Sequence, residues 1–165
     1  MIFSSPIFLY LFLPIALAGY YLIPVHYRNY WLLLASLVFF AWGGVSFTAI
    51  LLISIGLNYL FGLKIQQHKN SRKSYWWLFA GVSCNLLILV IFKYANFLIR
   101  NINELLDFIS VPEIPQTTII LPIGISFYTF HSLSYIIDIY RGKSSTQRNI
   151  LDLSLYICMF SQLIA

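Results

Sequence analysis

The stretch YWLLLASLVFFAWGGVSFTAILLISIGLNYLFGL, residues 30–63, contains no charged side chain. At about 1.5 Å per helical residue it would reach about 51 Å, well beyond the roughly 30 Å of hydrocarbon in a bilayer. It therefore holds two helices, and Gly43-Gly44 is the natural break between them. The spacing predicts one short span over 30–42 and a second over 45–63. The first falls short of an ordinary crossing, so it tilts little, thins the bilayer locally or crosses incompletely.

The rest of the chain has the same character. Of its 165 residues 60% are hydrophobic and 9% charged, where soluble domains carry about 25% charged residues. Fifteen charged side chains, ten basic and five acidic, cannot cover the surface of a water-soluble fold this size. Lipid is the apolar surrounding that such a surface needs. The aromatic share of 18% suits two membrane interfaces. The net charge of +5 is not a nucleic-acid signature, because no basic stripe interleaves with exposed aromatics. Cys84 and Cys158 lie in apolar runs, without a CxxC or Cys/His cluster, so they read as buried free thiols rather than metal ligands.

Further apolar runs cover 6–23, 75–92 and 119–140, and Pro14 is expected to kink the first. Ala16-Leu17-Ala18 resembles a signal-peptidase site, but no basic residue precedes it, so a retained first span is expected. Residues 93–118 are amphipathic: Phe97, Ile102, Leu105, Leu106 and Ile109 alternate with Arg100, Glu104 and Asp107. They read as a helix lying at the interface or extending the fourth span, ended by Pro112 and Pro115. From Ile150 the chain turns apolar again and starts a sixth span, which suggests a fragment of a longer polypeptide. Long uninterrupted runs favour helices over barrel strands. The expected fold is all-α: about five spans plus the start of a sixth, with 1–165 read as the N-terminal transmembrane portion of a domain truncated at its C-terminal end.

Charge placement sets an orientation. Loops 24–29, 64–74 and 141–149 hold Arg28, Lys64, Lys69, Arg72, Lys73, Arg141, Lys143 and Arg148, eight of the ten basic residues. Positive loops stay in the cytoplasm, so these three are expected inside and the N-terminus outside.

Ser54, Asn58 and Gly62 recur at helical spacing on one face, as close interhelical packing and hydrogen bonding require; Asn85 in the fourth span reads the same way. In the fifth span Tyr128, His131, Tyr135 and Asp138 fall near one face, with Ser134 beside them. Seven residues separate His131 from Asp138, about 10.5 Å along a helix, so the two cannot form a hydrogen-bonded catalytic pair on one straight helix. Asp138 is assigned instead to a local ion pair with Arg141. Lys93 follows a long apolar run and snorkels to the outer interface or meets substrate. His26 and His68 lie in polar loops and read as solvated. Asn58, Asn85, Lys93, Ser126, His131, Tyr135 and Asp138 are thus candidates for pathway lining or structural hydrogen bonding. None is assigned as catalytic.

Leu121-Pro122-Ile123-Gly124-Ile125-Ser126-Phe127-Tyr128-Thr129-Phe130, followed by Leu133-Ser134-Tyr135-Ile136-Ile137-Asp138-Ile139-Tyr140-Arg141-Gly142, resembles the signature of the membrane-bound O-acyltransferases, in particular the alginate O-acetyltransferase branch. Phe3-Ser4-Ser5, Tyr30-Trp31-Leu32-Leu33-Leu34-Ala35-Ser36, Ala41-Trp42-Gly43, Leu57-Asn58-Tyr59, Phe92-Lys93-Tyr94-Ala95, Arg148-Asn149 and Phe160-Ser161-Gln162-Leu163-Ile164-Ala165 agree with that branch. The resemblance implies a ring of helices around a tunnel in the inner membrane. It also implies an acyl donor such as acetyl-CoA, used as a substrate from the cytoplasm rather than bound tightly as a cofactor. The acceptor would be an exported polysaccharide, with periplasmic acetylation proteins as partners. The family's catalytic histidine is expected beyond residue 165, and His131 does not match it, so this segment alone is expected to be inactive. Other readings are a relative that D-alanylates teichoic acid or O-acetylates peptidoglycan, and a non-enzymatic fragment or small transporter subunit.

Overall fold

The computed structural model describes residues 6–108, 122 and 124–160, with the backbone alone at 107 and 108. All regular structure among the described residues is helical. A π-helical turn over Phe8–Phe12 leads into α1 (Leu13–Leu22). Pro14 falls in the first turn of α1, where a missing N–H is tolerated. A short 3-10 turn, Val25–Tyr27, precedes α2 (Arg28–Gly43). Gly44 has φ +142°, which glycine tolerates best, and α3 (Val45–Gln67) starts directly after it. The break therefore falls where the sequence put it.

Helix α4 (Arg72–Phe108) is continuous over 37 residues, about 55 Å long. Of the two readings of the amphipathic segment, continuation of the preceding helix holds over its described part, 93–108. The expected stop at Pro112 and Pro115 lies outside the described residues. Helix α5 (Ile125–Tyr140) follows Gly124, which is left-handed at φ +73°; of the apolar run that begins at 119, the described helical part is this one. Helix α6 (Ile150–Cys158) is capped by Asn149, whose Oδ1 accepts from Leu151 N at 3.0 Å. Among the described residues two helices, α3 and α4, can cross a membrane by length and composition, and the Phe8–Leu22 segment is apolar but shorter.

Helices α3, α4 and α5 pack on one another, α2 bridges α3 and α6, and α1 lies on α2. The core formed by α2–α6 includes Leu51, Ile55, Ile65, Ile136, Leu153 and Ile157. A smaller aromatic cluster of Phe8, Phe39 and Phe160 joins the first helical segment to α2 and the end of α6. The outside is equally apolar: Tyr10 is 83% exposed, Leu22 84% and Val45 76%, and Leu60, Phe79, Leu87 and Phe97 are exposed as well. Apolar surface on this scale needs an apolar surrounding, which makes the chain a membrane protein.

Candidate functional site

Two glycines let the three central helices meet. A Cβ at Gly62 would lie 2.9 Å from both Cε1 and Oη of Tyr135, and one at Gly81 would lie 3.1 Å from Ile136 Cδ1 and 3.2 Å from Phe61 Cγ. Small residues at these positions bring α3 and α4 against α5. One turn away on each helix sits a buried polar layer. Asn58 Nδ2 donates to Asn85 Oδ1 at 3.0 Å, and Asn85 Nδ2 donates to Asn58 Oδ1 at 2.8 Å. The remaining amide hydrogens go to the carbonyl oxygens of Ser54 and Gly81, each at 2.8 Å. All four donors of the pair are thereby used, as burial demands. The inward face expected for Ser54, Asn58 and Gly62 is the buried face of α3.

On α5 the buried face runs through Ile125, Tyr128, Thr129, Ser132, Tyr135, Ile136 and Ile139. Ser132 is buried and Ser134 exposed, so the serine that joins the inner face is not the one singled out in the sequence. Tyr128 Oη, Ser132 Oγ and His131 Nδ1 are buried without a hydrogen-bond partner among the described residues.

The loop after α5 is fastened to α3. Thr146 donates its hydroxyl to Gly62 O at 3.1 Å, and its N–H goes to Gln66 Oε1. Gln147 N donates to Tyr135 Oη at 3.3 Å, and Tyr59 Oη donates to Arg148 O at 2.9 Å. Asp152 accepts from Asn29 at 3.3 Å and from Asn149 at 3.0 Å, which ties the 24–29 loop to the same end. The three basic loops thus meet at one end of the bundle. A cavity of about 330 Å³ opens there, lined by Tyr135, Asp138, Gln147, Asp152 and Tyr156 among others.

The structure gathers some of the expected site residues and separates others. Asn58 and Asn85 touch. Tyr135 and Asp138 line one cavity, and His131 stacks at a tilt on its Tyr156 wall with ring centroids 5.8 Å apart. Lys93 is exposed, 5.7 Å from the Tyr94 ring centre, and Ser126 is half-buried in the first turn of α5. The expected ion pair of Asp138 with Arg141 does not form among the described residues: helix α5 ends at Tyr140, and Asp138 O accepts from the N–H groups of Lys143 and Ser144 in the turn that follows. Thr146, Gln147 and Asp152 were not singled out; Asn149 ahead of an apolar run was the one local signal, since it has the residue type of a helix cap. Among the described residues no three His, Cys, Asp or Glu side chains converge as metal ligands.

Known proteins place this arrangement. The chain is 44% identical over its whole length to the probable alginate O-acetylase AlgI of Azotobacter vinelandii, covering 33% of that protein. It is 45% identical to the protein of the same name from Pseudomonas aeruginosa, covering 32% of it. A peptidoglycan O-acetyltransferase of Helicobacter pylori is 30% identical over all of the chain and 36% of its own length. No family model matches, and no solved structure does. The chain is thus similar to proteins named as O-acetyltransferases. Its relatives at 44–45% identity are the alginate O-acetylases, as the α5 motif implied, and the chain spans about a third of their length.

Proposed function

We propose that the chain is part of an integral-membrane O-acetyltransferase that passes an acetyl group across the inner membrane to an exported polysaccharide such as alginate. The observation that carries this reading is the 44–45% identity, over the entire chain, to probable alginate O-acetylases. About five spans and the start of a sixth would cross the bilayer, with the N-terminus outside and loops 24–29, 64–74 and 141–149 in the cytoplasm. The meeting of those loops at one end of the bundle supports that arrangement. The domain 1–165 supplies scaffold here: α5 forms part of a pathway wall, with Ser126, His131, Tyr135 and Asp138 along it. The base that activates the acceptor belongs to another part of the enzyme. An acetyl donor such as acetyl-CoA would enter from the cytoplasm as a substrate, and periplasmic acetylation proteins would complete the modification.

Exchange of the matching third of the Pseudomonas aeruginosa alginate O-acetylase for this chain tests the proposal. The chimera is expected to restore acetyl esters on alginate in a strain lacking that protein. A chimera that is stable in the membrane yet yields unacetylated alginate would overturn the alginate reading. Acetylation of peptidoglycan by such a chimera would favour the acceptor of the Helicobacter pylori relative.

A further inference from the structure

Two of the basic loops enclose a cleft. A cavity of about 420 Å³ lies between Lys69, Asn70, Ser71 and Arg72 on one side and Ile139 and Tyr140 on the other. A neighbouring cavity of about 200 Å³ shares Lys69 and Ile139 and adds Lys143, Ser144 and Ser145. Lys69 stands between the two. A Cβ at Gly142 would lie 3.3 Å from its Nζ, and Gly142 has φ +73°, so this left-handed turn brings the backbone close to the Lys69 ammonium group.

Lys69, Arg72 and Lys143 have no ion-pair partner among the described residues. The carboxylates at this end, Asp138 and Asp152, line a different cavity beyond Ser144 and Ser145, and Asp152 is already held by two asparagine amides. Lys69 and Arg72 line the larger cavity and Lys69 and Lys143 the smaller, so both are electropositive and draw an anion. Hydroxyl and amide donors stand beside the cations, so the cleft suits an anion with several acceptor oxygens rather than a single carboxylate. We propose that this cleft binds a phosphate ester, contributed by an anionic lipid headgroup or by a soluble phosphorylated compound reaching it from the same side. The inference rests on the cleft alone and does not depend on acetyl transfer.

The test is tryptophan-monitored thermal unfolding of the purified chain in dodecyl maltoside, titrated separately with phosphatidic acid, coenzyme A and diacylglycerol. A saturable rise in melting temperature with phosphatidic acid alone assigns the cleft to lipid, and one with coenzyme A alone assigns it to a soluble ester. A rise with both still supports a phosphate site. The variant Lys69→Gln/Arg72→Gln/Lys143→Gln is expected to weaken that binding by roughly tenfold or more. Lys93→Gln/Arg100→Gln, neutralised elsewhere, should bind as the parent does, and Lys69→Arg/Lys143→Arg should retain binding. No saturable rise with either phosphate compound, an equal rise with diacylglycerol, or undiminished binding by the triple variant would overturn the proposal.

Discussion

Asn58 and Asn85 exchange side-chain hydrogen bonds across the α3–α4 interface, at 3.0 and 2.8 Å, 27 residues apart in sequence. Both are almost wholly buried. Removal of one partner strands the other amide. Asn58→Leu is expected to lower stability by roughly 0.5–2 kcal/mol, since interhelical hydrogen bonds in membranes contribute about that much. Asn58→Leu/Asn85→Leu should recover most of the loss, because no polar group is then left unpaired. A double-mutant cycle on unfolding in detergent checks both statements. Additive losses would show that the two amides are not coupled.

The glycines of α3 separate close approach from helix propensity. Gly62 faces Tyr135 at a distance that leaves no room for a methyl group, whereas nothing lies within 4 Å of a Cβ at Gly56. Gly62→Ala should destabilise by about 1–3 kcal/mol through overpacking. Gly56→Ala should be neutral or stabilise by about 0.5–1 kcal/mol, as alanine does in a helix interior. Opposite signs in thermal unfolding are the expected result, and equal effects would contradict the α3–α5 contact.

Ser132 and Tyr128 bury hydroxyl groups that find no partner among the described residues. An unmet hydroxyl costs stability, so Ser132→Ala and Tyr128→Phe should leave the unfolding temperature unchanged or raise it. A clear fall would reveal a bonded partner, such as an internal water, at that level of the bundle.

Much of the architecture is legible in the sequence because lipid imposes simple rules. Charge-free length fixed the break at Gly43-Gly44, and helical spacing put Ser54, Asn58 and Gly62 on one buried face. The pairing of Asn58 with Asn85 was not legible, since it depends on how α3 and α4 are set against each other. The inward position of Ser132, with Ser134 exposed, was not legible for a related reason. Both lie near the polar stripe of α5, and only the positions of α3 and α4 decide which points inward. The Asp138–Arg141 pair was inferred from spacing on an unbroken helix, yet the helix ends at Tyr140 and the Asp138 carbonyl takes up the following N–H groups. For the segment after Phe92 the amphipathic pattern fits an interfacial helix and a projecting one equally well, and continuity with α4 decides between them.

Cysteine labelling in intact cells reads the orientation proposed for the bundle. In a Cys84→Ser/Cys158→Ser background, single cysteines at Ser71, Ser145 and Asn101 are treated with a maleimide that cannot cross membranes. Asn101→Cys should label in intact cells, whereas Ser71→Cys and Ser145→Cys should label only after the membrane is opened. Labelling of all three in intact cells, or of Ser71→Cys and Ser145→Cys on opposite sides, would contradict a membrane-crossing bundle with its basic loops gathered in the cytoplasm.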